Sequence, residues 1–199
     1  MIQFSDQEIA NERLILDSAT ELYYLGHNLT LRNCTLVIKV PARALVIART
    51  QFIDCTIEVK RELKNFRWQS AHLKGCHFKG RFSGNEFGSC PDRPEEGSIE
   101  SCDFSHARLS WTRFLGGSAR TLRFPPWPCF TILEPARKGH ELQALPWPGE
   151  YGFIIGKNLA ESPPSTVAMT YSAPELAKFC GTTPAAIKAL VETLEGVYY

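Results

Sequence analysis

At 199 residues, with 44% apolar and 22% charged side chains, the chain is long enough for one well-buried domain or one domain with a small appendage, and too apolar for disorder. A formal net charge of +1 excludes a strongly acidic or strongly basic protein, and no apolar run approaches the roughly 20 residues that cross a bilayer. The polar start MIQFSDQEIANER lacks the basic flank and apolar core of a secretion signal, so a soluble, cytoplasmic chain with no membrane contact is expected.

Residues 1–21 carry Asp6, Glu8, Glu12, Asp17 and Glu21 against Arg13 alone, and "NERLILDSAT" reads as an N-terminal cap. The charge then inverts. Residues 31–85 hold eleven Lys or Arg against Asp54, Glu58 and Glu62, a local balance of +8 that predicts a basic face.

Over 22–124 the chain repeats. Cys34, Cys55 and Cys76 are 21 residues apart, and Cys102 follows after 26, the excess falling in the Pro-rich acidic loop around 91–96, which reads as an insertion or a contact site. Leu31, Phe52, Leu73 and Ile99 stand three before each cysteine; Leu36, Ile57, Phe78 and Phe104 stand two after it. Tyr24, Leu45, Phe66 and Phe87 keep the same shift, Ile47 maps onto Trp68, and Ile38 maps onto Val59. A period near 20 means stacked copies of one unit that bury a core only by piling up. The unit is too short for helix pairs, so the expectation is extended chain coiling with rungs about 4.8 Å apart and cysteines in an inward column.

The stretch CDFSHARLSWTRF, with AHLKG, CHFKG and CTIEV before it, resembles the pentapeptide-repeat family. That resemblance implies a four-sided right-handed parallel β-helix in which a small and a large residue, two positions apart, point inward on each side. An ordinary three-sided right-handed β-helix is the competing architecture. The expected fold is mainly β: four to five coils of about 21 residues, a Pro-rich arm, and a C-terminal two-helix cap.

Eight of the thirteen prolines lie in 124–165, and proline without an N–H donor favours extended chain outside a ladder. Residues 125–171 are therefore expected to form an arm strapped to the solenoid by Trp127, Phe130 and Trp147, followed by a strand at "YGFII"; "PPWP" could also serve as a peptide-recognition ligand. From Ser172 the signals turn helical. Ser172 is the expected cap with Glu175 three on, and Gly181 stops the helix; Thr183 caps a second with Pro184 at its first position, and Gly196 ends it. Leu176, Phe179, Ile187, Leu190, Val191 and Leu194 share one apolar face, fit for a cap or a homodimer. The pair has helix-turn-helix form, but its second helix offers Lys188 against Glu192 and Glu195 and no Arg, Asn or Gln to read bases.

Catalytic signatures are scarce: no glycine-rich phosphate loop, GxSxG, HExxH or CxxC occurs, so no enzyme activity, cofactor or metal is expected. The repeat sets His77 beside Asp103, the weak candidates for acid–base work on a polysaccharide. It also sets Lys74 beside Glu100, and Glu58 beside Lys79. Lys39, Lys60 and Arg81 fall 21 apart, a ladder of like charges that an acidic partner would answer. With Lys74 and Lys79 they are the candidate partner-binding residues. The leading expectation is a non-catalytic protein-binding solenoid whose partner has an acidic surface, one form being an immunity-type inhibitor of a bacterial toxin. Nucleic-acid association through the basic face and the helical segment is the alternative.

Overall fold

The computed structural model describes residues 1–89 and 97–199, so the loop at 91–96 lies outside the described residues. The chain forms a parallel β-solenoid of about four turns with a period of about 22 residues, followed by an antiparallel extension and four short helices. Register between turns is close to the repeat: Arg13 lies opposite Thr35, Thr35 opposite Thr56, and Thr56 opposite His77.

Three ladders run from the first turn. One pairs Ile2–Phe4, Tyr23–Gly26 and Leu45–Ala48; the second stacks Gln7–Ala10, Leu29–Arg32, Thr50–Ile53, Ala71–Lys74 and Ser98–Glu100. The third stacks Arg13–Leu16, Thr35–Ile38, Thr56–Val59 and the first half of His77–Ser83. A fourth side begins as a turn containing the 3-10 helix Ala42–Ala44. It becomes a ladder only later, where Gly80–Ser83 lies between Leu63–Lys64 and Ala107–Ser110. The early turns are thus three-sided and the later ones four-sided. Residues 1–21, expected as a cap, are the first turn itself, because their strands pair parallel with the second.

The corners explain why this sequence coils. Asn11, Asn33, Asp54, Gly75 and Ser101 all have positive φ, and each of the last four immediately precedes a column cysteine. Asp6, Asn28 and Arg49 mark a second corner, and Asn65, Gly84 and Trp111 a third. Asn and Asp reach this conformation more readily than other side-chain-bearing residues, since the short polar group bonds locally. Here the corner amides also bond from turn to turn: Asn33 Nδ2 donates to Asn11 Oδ1 at 2.7 Å, and Asn28 Nδ2 to Asp6 Oδ1 at 2.9 Å.

Inside, Cys34, Cys55, Cys76 and Cys102 are buried as a column. Each thiol donates to a carbonyl of the turn below, Cys55 Sγ to Leu31 O at 3.2 Å and Cys76 Sγ to Phe52 O at 3.4 Å. The large partners stack. Phe78 and Phe104 lie 4.4 Å apart at 9°, while Phe87 is sandwiched between Trp68 at 5.5 Å and Phe114 at 5.4 Å. Such pairs add about 0.5–1.5 kcal/mol each beyond their buried area. The uniform 21-residue shift fails at two points. Tyr23, not Tyr24, faces Leu45 and is buried, its hydroxyl accepting from the Asp17 and Ser18 N–H groups; Arg67 bridges Glu86, so Phe87 stacks on Trp68 rather than following Phe66.

The far end is closed by a shared strand. Thr166–Ser172 lies antiparallel on Thr112–Leu115, and Cys129–Leu133 and then Val197–Tyr198 extend the same sheet. Ala168 belongs to the solenoid core, whereas Met169 and Tyr171 belong to a second core with Phe130, Trp147, Leu176, Ile187 and Val191. Trp127, Phe130 and Trp147 therefore face this second core and do not strap an arm to the solenoid. The helices are α1 (Gly139–Ala144), α2 (Gly152–Ala160), α3 (Ala173–Cys180) and α4 (Pro184–Val191). "YGFII" opens α2 and is not a strand: Gly152, Ile155, Gly156 and Leu159 are buried at helical spacing while Phe153 is 66% exposed.

The C-terminal helix signals largely hold. Gly181 ends α3 with φ +70°, and Thr183 Oγ1 accepts from the Ala186 N–H at 3.2 Å at the start of α4. α4 stops at Val191, ahead of Gly196, which instead leads into Val197–Tyr198. The apolar face of the pair is spent on the chain's own second core, except Phe179, which lies 42% exposed against Trp111. Among the described residues no helix is long and apolar enough to cross a membrane.

Candidate partner-binding face

The fourth side gathers cations from both its bends and its ladder: Arg43, Lys60 and Arg61 lie in bends, Lys64 and Arg81 on strands. PARA at 41–44 and VKRELK at 59–64 fold into neighbouring bends that, with Gly80 and Arg81, enclose a groove of about 910 Å³. Arg43, Lys60, Arg61, Lys64 and Arg81 line it, with Glu62 as the one acid among its lining residues. Lys64 Nζ holds Glu62 at 3.3 Å, and Lys60 is paired with Glu58. Among the described residues no carboxylate comes within 4.0 Å of Arg43, Arg61 or Arg81. Three guanidiniums therefore stand unanswered in one concavity. A second groove of about 500 Å³ adjoins it, bringing Lys39 beside Arg43, Arg61 and the acidic turn Asp17–Glu21.

The expected ladder of Lys39, Lys60 and Arg81 is only partly collinear. Lys39 Nζ is taken by Asp17 Oδ2 at 3.2 Å, and Lys60 by Glu58. The chain turns tightly between them and the next strand, so that Phe82 lies opposite Leu63 and Arg81 sits one position before that pair. Arg81 instead faces Arg108 on the other neighbouring strand.

The other candidates lie elsewhere on the solenoid. Lys74 is on the second side, 3.8 Å from Glu100. Lys79 is on the third, in register with Glu58. The hydrogen bond from Lys60, with Arg13 and Lys79 nearby, holds the Glu58 carboxyl below its ordinary value. His77 Nδ1 and Asp103 Oδ2 stand 3.8 Å apart, with Arg123 Nη1 at 3.9 Å from the same oxygen. Burial alone would raise Asp103, but the Ser105 hydroxyl and N–H, His77 and Arg123 bring it below its ordinary value. His77 is 58% exposed, so this is a solvated cross-strand pair of the kind that stabilises a sheet face. Among the described residues no group of three or more His, Cys, Asp or Glu is placed to hold a metal ion.

No protein-family model, curated protein or solved structure matches the chain. The face is thus defined by its own chemistry, a cationic concavity on a rigid scaffold. Sequence periodicity found Lys60 and Arg81 but not Arg43, Arg61 or Lys64, which lie between the repeat's apolar positions. The available signal is their density: the four residues of "VKRELK" other than Val59 and Leu63 are three cations and one acid.

Proposed function

We propose that the chain is a non-catalytic, cytoplasmic protein-binding solenoid whose fourth-side groove receives an acidic surface of a partner protein. The observation that carries this reading is the set Arg43, Arg61 and Arg81, converging on one groove with no carboxylate of the described residues within 4.0 Å. Guanidinium forks recognise carboxylates in bidentate geometry, and complementary charge sets both register and encounter rate. The small and large inward residues two apart support the finer likeness to pentapeptide-repeat proteins. One concrete form of the function is an immunity-type protein that neutralises a bacterial toxin.

The test is an affinity pull-down of the tagged chain from its native lysate, with and without nuclease, followed by mass spectrometry. One stoichiometric protein that survives nuclease, and that is lost from the triple variant Arg43→Glu, Arg61→Glu, Arg81→Glu, is expected. A complex that disappears with nuclease would replace this reading by nucleic-acid binding, for which a steep decline of affinity with salt is the second signature. Retention of the partner by the triple variant would remove the groove from the function.

A further inference from the structure

Where the fourth side meets the second core, a groove of about 480 Å³ separates the strand Ala107–Ser110 from the start of α3, with Pro125, Pro126 and Trp127 along one wall. Three independent features converge on it. Arg81 and Arg108 stand directly opposite each other on neighbouring parallel strands, both exposed and both lining the groove. Like charges so placed repel unless an anion lies between them, and no carboxylate of the described residues comes within 4.0 Å of either.

Ser110 follows Arg108 by two positions, so its side chain leaves the strand on the same outward face. It is 3% exposed, lines the groove, and its Oγ has no hydrogen-bond partner among the described residues. A buried hydroxyl left unpaired is rare enough to require a reason. The third feature is the helix start. The Ser172 side chain caps nothing, the Ala173 N–H goes to Pro128 O at 2.8 Å, and Pro174 has no N–H, which leaves the Glu175 N–H at the positive end of α3.

Two carboxylates share the groove. Glu62 is held by Lys64 at 3.3 Å, and Glu175 lies in the first turn of α3. We propose that this groove binds a phosphate group, free or as a small monoester. The two guanidiniums take its oxygens, Ser110 Oγ–H and the Glu175 N–H donate to those remaining, and an ester substituent lies along Trp127 and the prolines. The pocket shares only Arg81 and Glu62 with the partner-binding groove, and its test uses the purified chain alone. Its failure therefore leaves the partner reading untouched.

The experiment is a titration of the ¹⁵N-labelled protein with inorganic phosphate and with phenyl phosphate at constant ionic strength, following the Ser110 and Glu175 amides. Saturating shifts are expected. Arg108→Gln should weaken binding at least about tenfold, Glu175→Gln should tighten it severalfold, and Arg137→Gln, outside the pocket and paired with Glu134, should leave it unchanged. Severalfold tighter phenyl phosphate assigns the pocket to a monoester; equal affinities assign it to the free anion. Linear shifts spread over the basic surface, or binding indifferent to Arg108→Gln, would overturn the proposal. Ser110→Ala separates binding from folding: it should keep or raise the melting temperature while weakening phosphate severalfold, and a stable variant with unaltered affinity would also count against the site.

Discussion

Inside the solenoid the Trp68 indole N–H donates to Asn85 Oδ1 at 3.2 Å, and both side chains are fully buried. The same amide returns two bonds to the wall, from Nδ2 to Leu63 O at 2.8 Å and to Ser83 O at 3.0 Å. A core amide satisfied on both ends fixes the turn at 63–66, where the fourth side first becomes a ladder. Asn85→Ala should therefore destabilise by about 2–4 kcal/mol, because it strands the buried indole N–H and removes a bond from Leu63 O and one from Ser83 O, the latter still accepting from the Asn65 N–H. Urea unfolding followed by Trp fluorescence measures it; a loss below about 1 kcal/mol would mean that the turn is held by packing alone.

The junction of the third and fourth sides depends on the absence of a side chain at residue 80. Gly80 has φ +107°, and a Cβ there would stand 2.2 Å from the Val59 carbonyl oxygen. Backbone cannot swing aside as a side-chain tip can, so Gly80→Ala should cost at least about 3 kcal/mol or prevent folding. Gly181 provides the contrast, since its φ is +70° but nothing lies within 4 Å of an added Cβ. Gly181→Ala should cost about 1 kcal/mol, the left-handed conformation alone. Thermal melts of the two variants give the comparison, and equal losses would show that the close approach to Val59 does not limit the fold.

The cysteine period made the solenoid readable, since burial forces the same side chain into the same place at each turn. What periodicity hid was everything that breaks it. Tyr23 displaces Tyr24 because its hydroxyl bonds the turn at 17–18, and the step from Arg67 to Glu86 runs short beside the Asn85 amide, which bonds Trp68, Leu63 and Ser83. The corner signal was present but unused: Asn33, Asp54, Gly75 and Ser101 directly precede the cysteines, and all four take positive φ. The second core was less accessible. Its strand Thr166–Ser172 serves two cores at once, so neither simple alternation nor a helical period marks it. The cationic groove was half visible, because Lys60 and Arg81 follow the repeat while Arg43 and Arg61 sit in its bends.

Glu58 predicts the direction of a pH effect. Its carboxyl lies below the ordinary 4.5 through the Lys60 hydrogen bond, assisted by Arg13 at 3.5 Å. A folded-state value below the unfolded one gives stability that is present above about pH 4.5 and lost as the pH falls through the lowered value. Lys60 and Arg13 are 50% and 57% exposed, so solvent and salt keep the gain under about 1 kcal/mol. Wild type should exceed Glu58→Gln in urea midpoint at pH 7, and the two should converge as the pH falls through the lowered value. A gap that persists in acid would assign the difference to packing.

Four buried thiols, Cys55, Cys76, Cys129 and Cys180, should be chemically silent in the folded chain. Burial pushes the Cys55 thiol up to about 12; the hydrogen bond with Cys102, together with burial, raises Cys76, and burial raises Cys129 and Cys180. The thiolate is the nucleophile, so at pH 8 Cys55 should react with iodoacetamide roughly a thousandfold more slowly than a free cysteine, even before access is considered. Cys55 and Cys76 are also locked between turns and Cys180 lies in the second core, so labelling should track unfolding. Mass spectrometry of the native protein after a timed pulse should find these four sites unmodified, and the same pulse in urea should label them all. Rapid native labelling of Cys55 or Cys76 would show that neighbouring turns separate without global unfolding, and it would identify the place where the solenoid opens.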